Sequence, residues 1–193
     1  MALAILLNGA SSSGKTTLAN ALQEHLFNLP TPLPTLHLSL DQFIAAMPND
    51  SNKLLQPGES APGFYWQASE SDTWRIRMGD FGEQVNQAYR MMVKATLDQG
   101  VSVILADVFN GLNEWKQWQP LLSNHDYLLA GIHCDLKTLQ ARARSRGDRV
   151  QGSAEEQTNR VHTGMPYDLN LDTSKQSQED WLKAILNKLE SKR

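Results

Sequence analysis

Residues Leu3–Ala19 read LAILLNGASSSGKTTLA, and they set the architecture of the chain. Leu3–Asn8 is a short, continuous apolar run, as expected of a strand covered on both faces. From Lys15 to about Phe27, Leu18, Leu22 and Leu26 recur at i, i+4 and i+8 and form one face of a helix. Between the two, Gly9–Thr16 (GASSSGKT) satisfies the spacing G-x-x-x-x-G-K-S/T in its required strand-to-helix context. Glycines and small serines let successive backbone N–H groups turn toward a triphosphate. The helix N-terminus adds a dipole that favours anions. The expected nucleotide contacts are Gly9, Ala10, Ser11, Ser12, Ser13, Gly14, Lys15, Thr16 and Thr17. Lys15 is expected to reach the β- and γ-phosphates, and the Thr16 hydroxyl to bind Mg²⁺.

The same alternation of strand and helix continues through the chain. Further strands are expected at Leu36–Leu40, ending at Asp41, at Val101–Ala106, ending at Asp107, at Tyr127–His133, ending near Asp135, and at Leu169–Leu171. Helices are expected at about Asp80–Gln99, Glu114–Leu122, Leu136–Arg146, Ala154–Val161 and Glu179–Lys192. In the first of these, Phe81, Val85, Ala88, Met92 and Ala95 form the apolar stripe, and Gly100 supplies a left-handed stop. The pattern predicts an α/β fold, a three-layer, doubly wound parallel sheet of about five strands. Sites in such sheets lie beyond the carboxyl ends of the strands. Asn8, Asp41, Asp107 and Asp135 are expected there. Two stretches interrupt the pattern. Pro30–Thr35 is a rigid connector, because three prolines remove three backbone donors. Asn49–Gly63 reads as a surface loop. The aromatic residues after it, Phe64, Tyr65, Trp66 and Trp74, suit either the wall of an apolar acceptor pocket or the core of a small hairpin.

A chain of 193 residues is one domain by length, and 18 basic against 21 acidic residues leave a net charge of −3. That balance argues against nucleic acid or an anionic membrane as a general partner. The single cysteine, Cys134, excludes an intrachain disulfide framework and a multi-cysteine zinc site. No apolar run approaches the roughly 18 residues that span a bilayer. Met1–Leu7 lacks the flank and cleavage site of a secretion signal, so a cytoplasmic location is expected. The five histidines, His25, His37, His125, His133 and His162, show no ligand spacing and read as structural or surface residues. The apolar pattern does not separate an exposed face from core, so it says nothing of oligomeric state.

Two functional classes compete for such a phosphate loop. A GTPase switch needs a guanine-reading N-K-x-D element. The nearest string, Asn187–Glu190 (NKLE), lies in the final helix and lacks the Asp. A small-molecule kinase needs an acceptor-side base and a cationic lid, and both have candidates. Asp41 is placed to orient an acceptor hydroxyl and take its proton, or else to cap the helix Gln42–Met47. Asp107 stands where a carboxylate holds Mg²⁺, or begins a loop. Arg142, Arg144, Arg146 and Arg149 cluster in ARARSRGDRV, with Arg142 and Arg146 on one helix face and Gly147 as a hinge. They suit a lid that grips phosphate oxygens, or else form a solvated face with Asp148 as a local partner.

The segments ILLNGASSSGKTTLA, LDQFIAAMP, DVFNG and CDLKTLQARARSRGDRVQGSAEEQTNRVHTGMPYDLNLDT resemble, in order, those of the chloramphenicol phosphotransferases. The resemblance implies a five-stranded parallel sheet in a nucleotide-kinase-like domain covering residues 1–193. The acceptor-side insertion falls at about 42–79 and a helical lid at about 142–162. It implies ATP at Gly9–Thr16 with Mg²⁺, Asp41 as catalytic base, Arg142, Arg146 and Arg149 as lid arginines, and the Asp172–Thr173 turn beside the adenine. The implied reaction is ATP-dependent transfer of the γ-phosphoryl group to a hydroxyl of a small molecule. Chloramphenicol, at its 3-O position, or a related antibiotic leads as acceptor, which makes resistance by modification the implied role. The alternatives are a kinase of the same fold acting on another metabolite or a nucleotide-sugar, and a non-catalytic NTP-binding switch. Ala106 and Ala143 stand where the family often has acidic residues, and Asn49–Met78 has no match.

Overall fold

The structure is a computed structural model that describes the chain apart from residues 1, 70–72, 147–149, 151 and 193 and the side chains of residues 146 and 159. Its elements run β1 (Leu3–Asn8), α1 (Lys15–Phe27), β2 (Thr35–Leu38), α2 (Leu40–Ala45), β3 (Phe64–Ala68), β4 (Trp74–Met78), α3 (Asp80–Asp98), β5 (Ser102–Asp107), α4 (Gly111–Leu122), β6 (Asp126–His133), α5 (Leu136–Arg146), α6 (Ser153–Arg160), β7 (Leu169–Asp172) and α7 (Gln178–Ser191). Five strands pair in the order β2-β5-β1-β6-β7, every pair parallel. β1 is central, and its alternate residues feed opposite layers. Ala4 and Leu6 pack with Tyr89, Val93, Trp115 and Trp118 of α3 and α4. Ile5 and Leu7 pack with Leu18 and Leu22 of α1 and with Trp181 and Ile185 of α7. These are the three expected layers. Among the described residues, no helix is long and apolar enough to cross a membrane.

Three departures from expectation have physical causes. First, β2 ends at Leu38 rather than Leu40, so Asp41 lies in the first turn of α2 and not at a strand end. Ser39 turns the chain: its N–H donates to Gln42 Oε1 at 3.1 Å, and its carbonyl accepts from Gln42 N. Second, the buried stripe of α3 is Gly82, Asn86, Tyr89, Val93 and Leu97, while Phe81 is exposed. The expected stripe was chosen by apolarity alone. The real one includes a glycine packed on the Gly63 backbone and a tyrosine whose hydroxyl has a buried partner. Third, β3 and β4 form a separate antiparallel hairpin, with Tyr65 opposite Arg77 and Gln67 opposite Arg75. Phe64 and Trp66 are buried in it, as the hairpin reading of the aromatic run expected, and they also line a cavity. Trp74 instead covers Gly58.

Candidate active site

The carboxyl end of β1 opens into the phosphate loop. Gly9 passes so close to β6 that an added Cβ would collide with the Ile132 carbonyl, and Gly14 has φ +98°, a left-handed conformation that favours glycine. These two positions explain the glycines of the motif. Lys15 is buried and donates from Nζ to the carbonyls of Gly9 at 2.9 Å and Ala10 at 2.8 Å. The Ser11 N–H donates to Gln157 Oε1 of α6 at 2.6 Å. The Ser12 and Ser13 hydroxyls are buried with no hydrogen-bond partner among the described residues. Orphaned hydroxyls, inward backbone and a buried lysine at a helix N-terminus fit phosphate oxygens.

Ser11, Ser12, Gly14, Lys15 and Thr16 form one wall of a cavity of about 420 Å³. Asp41 and Asp107 open on the same cavity. Asp41 is exposed, and its helix is pinned on both sides of it. Leu40 N donates to Asp107 Oδ1 at 2.9 Å, and the Phe43 ring packs 5.2 Å from that of Tyr89. Asp107 also accepts from the Tyr89 hydroxyl, at 2.6 Å to Oδ2. Burial pushes its carboxyl up to about 7, against the opposing hydrogen bonds from Tyr89 and Leu40. Thr16 and Asp107 together offer the hard oxygen donors that Mg²⁺ takes, so the residues present fit that ion.

The arginine cluster divides. Arg142 is turned toward the phosphate loop and β7 and does not line the cavity. Its Nη1 reaches Thr173 Oγ1 at 3.2 Å and the Ser12 carbonyl at 3.5 Å, and its Nη2 reaches the Thr173 carbonyl at 3.1 Å. Thr173 in turn donates from Oγ1 to the Ser13 carbonyl at 2.7 Å. The Asp172–Thr173 turn therefore borders the phosphate loop. Arg144 is exposed, and its Nε donates to the Gln140 carbonyl in its own helix. The Arg146 side chain, the Gly147 hinge and Arg149 lie outside the described residues.

Several site residues were not singled out by sequence reasoning. Arg75, Arg77 and Arg160 line the cavity on the hairpin and α6 side. Gln157 and Arg160 share a helix, so α6 reaches from the phosphate loop to that wall. Asn8, expected only as a strand end, is fully buried. Its Nδ2 donates to the Val161 carbonyl at 2.8 Å and the Tyr167 hydroxyl at 2.6 Å, and its Oδ1 accepts from Phe109 N at 2.9 Å. It thus ties β1 to the end of α6. The available signal was alternation in WRIRM, which puts Arg75 and Arg77 on one strand face. Nothing local marks Asn8. His133 and His162 stack with ring centroids 3.9 Å apart, and His133 Nε2 lies 2.7 Å from Asn170 Oδ1.

A family model described as chloramphenicol phosphotransferase-like protein matches residues 2–190. Curated relatives in two Mycobacterium tuberculosis strains, each bearing the name "Putative O-phosphotransferase", are 28% identical over 176 residues, covering 88% of this chain and 74% of theirs. Solved structures share the fold. The Chaetomium thermophilum protein Kti12 in complex with ADP-AlF3 is 15% identical with a TM-score of 0.66, covering 97% of each chain. The Mycobacterium tuberculosis APS kinase CysC, in complex with AMPPNP and APS, is 14% identical with a TM-score of 0.64, covering 98% of each. A Chloroflexus aurantiacus structure described as "a putative kinase" is 20% identical with a TM-score of 0.65, covering 98% of this chain and 97% of that one.

Proposed function

The chain belongs to the chloramphenicol phosphotransferase-like family, and on that premise we propose that it transfers the γ-phosphoryl group of ATP to a hydroxyl of a small molecule. One observation carries the reading. The phosphate loop and Asp41 face a single cavity whose opposite wall is the β3–β4 hairpin. In this reading donor phosphate, acceptor and base meet in that cavity. Residues 42–79 form the acceptor side and residues 142–162 the lid, and a cytoplasmic location, where ATP is supplied, goes with this chemistry.

Asp41 orients the acceptor hydroxyl and takes its proton as the oxygen attacks the γ-phosphorus. Lys15 exchanges the carbonyls of Gly9 and Ala10 for phosphate oxygens, and the loop N–H groups hold the remaining charge. Mg²⁺, when bound, neutralises charge on the β- and γ-oxygens; Thr16 and Asp107 would hold it. Arg142 steadies the loop through Ser12 and Thr173, and Arg146 and Arg149 complete the lid. Closure excludes water, which would otherwise compete as acceptor.

Chloramphenicol is the first acceptor to test, on the strength of the family. The protein is incubated with ATP, Mg²⁺ and chloramphenicol, and the product mixture is weighed by mass spectrometry. A product heavier by one phosphate would establish the neutral antibiotic as an acceptor. Its absence, beside phosphorylation of another hydroxyl compound, overturns the antibiotic as acceptor and leaves the kinase. That second reading, a different metabolite or a nucleotide-sugar, is favoured by the three arginines on the acceptor wall.

A further inference from the structure

The acceptor wall is built from charge. Arg75 and Arg77 stand two residues apart on β4, hence on one face of the hairpin, and α6 brings Arg160 to them. Arg75 Nη2 and Arg160 Nη1 converge on a single acceptor, Asn110 Oδ1, at 2.7 and 2.6 Å. Two guanidinium groups are therefore held side by side by a neutral carbonyl oxygen. Behind them stands one carboxylate, Glu156. Arg160 grips it with two bonds, Nε to Oε1 at 2.6 Å and Nη2 to Oε2 at 3.0 Å. Arg75 Nε lies 3.6 Å from the same Oε1. Among the described residues, Arg77 is bonded to the neutral Gln67 Oε1, at 2.8 Å.

Three positive charges thus share one paired negative charge. Glu114, another acidic side chain lining the cavity with Glu83, Asp41 and Asp107, accepts from the Asn110 N–H, and burial raises its carboxyl. Burial, then the neighbouring Arg160 and Arg77, lower the affinity of Arg75 for its own proton, as expected of cations crowded without enough counter-charge. A purely structural ion pair needs one arginine for Glu156. The second and third arginines leave a surplus that faces the cavity.

We propose that Arg75 and Arg160, with Arg77 beside them, form an oxyanion subsite, so that the acceptor is an alcohol bearing a carboxylate, sulfate or phosphate group. The proposal rests on the kinase reading and narrows its substrate. Planar guanidinium forks match such oxyanions and bind them by charge-assisted hydrogen bonds. The placement gives the subsite a role. Gln157 meets the phosphate loop and Arg160 lies one turn further along the same helix. An anion gripped at Arg160 directs the rest of the acceptor toward Asp41 and the phosphate loop.

The test uses the full chain saturated with AMP-PNP and Mg²⁺, so that the phosphate loop is taken. Sulfate, methyl phosphate and acetate are then titrated separately by calorimetry at ionic strength held constant with chloride. At least one is expected to bind at one site, and the tightest identifies the acceptor's anionic group. Arg75→Gln and Arg160→Gln should each weaken that binding about tenfold or more, with AMP-PNP affinity unchanged as the check on folding. Glu156→Gln removes the competing carboxylate and should tighten it about threefold, a gain that misfolding does not produce. No binding of any of the three anions, or equal binding by wild type and both arginine variants, overturns the subsite. Failure of AMP-PNP to bind would instead refute the nucleotide reading, and the anion titrations of the variants would still report on the subsite.

Discussion

Asn8→Ala is expected to destabilise the fold substantially while leaving the phosphate loop itself intact. The side chain is fully buried and makes three hydrogen bonds across more than one hundred residues of sequence. Truncation leaves the Phe109 N–H buried without an acceptor, at about 1–3 kcal/mol. The Val161 carbonyl loses its 2.8 Å donor but keeps the Tyr167 hydroxyl at 3.4 Å, which can turn toward it, so that loss is about 1 kcal/mol. Together these give about 2–4 kcal/mol. For a chain of this size that is a fall in melting temperature of roughly 4–16 °C. Urea denaturation followed by circular dichroism gives the free energy. A loss below about 0.5 kcal/mol would refute the reasoning, because it would mean that the three partners find water or each other without strain. Asn8→Asp separates donor from acceptor. It keeps the bond from Phe109 N, loses both donations, and sets a carboxylate against the Val161 carbonyl, so it should be no more stable than the alanine variant.

Lys15→Ala should weaken AMP-PNP binding and remove most transfer activity; unchanged affinity in a calorimetric titration would count against the phosphate loop as the nucleotide site. Asp41→Asn should bind AMP-PNP as wild type does while transfer slows about 10²-fold or more, so a matched pair of binding and rate measurements separates a base from a nucleotide contact. His162 gives a pH test. Burial, followed by the His133 and Lys15 charges, lowers its imidazole to about 4. The folded protein keeps the ring neutral where the unfolded chain, near 6.5, protonates it. Its contribution is therefore full above pH 6.5 and is lost as pH falls toward 4. The melting temperature of wild type should drop relative to His162→Phe across that window, and a constant offset between the two would contradict the assignment.

The sheet was legible because its signals are local. The run Leu3–Asn8 and the leucines of α1 repeat with the periods of a buried strand and a helix, and each strand ends near a polar residue. The position of Asp41 was not legible to the same degree. Whether Leu40 continues a strand or starts a helix depends on Gln42 folding back on Ser39 and on Asp107 receiving the Leu40 N–H, 67 residues away. The α3 stripe was misread because burial there follows shape and hydrogen bonding: Gly82 fits a close backbone approach and Tyr89 reaches Asp107. The acceptor wall was the least visible part. Arg75, Asn110, Glu156 and Arg160 come from three separate segments, and only the packing of the hairpin against α6 makes them one cluster. The expected lid arginine Arg142 shows the converse. Its cationic character was plain, but its partners, the carbonyls of Ser12 and Thr173, are set by tertiary contact.

The most direct measurement follows the γ-phosphoryl group itself. Wild type and Asp41→Asn are incubated with Mg²⁺ and ATP labelled at the γ-phosphoryl, together with chloramphenicol and, in parallel, hydroxyl compounds bearing carboxylate, sulfate or phosphate. The account predicts label in a phosphorylated acceptor with wild type and, in the same time, about 1% as much with Asp41→Asn. Label found only in inorganic phosphate with every acceptor, or equal transfer by the two proteins, would contradict it.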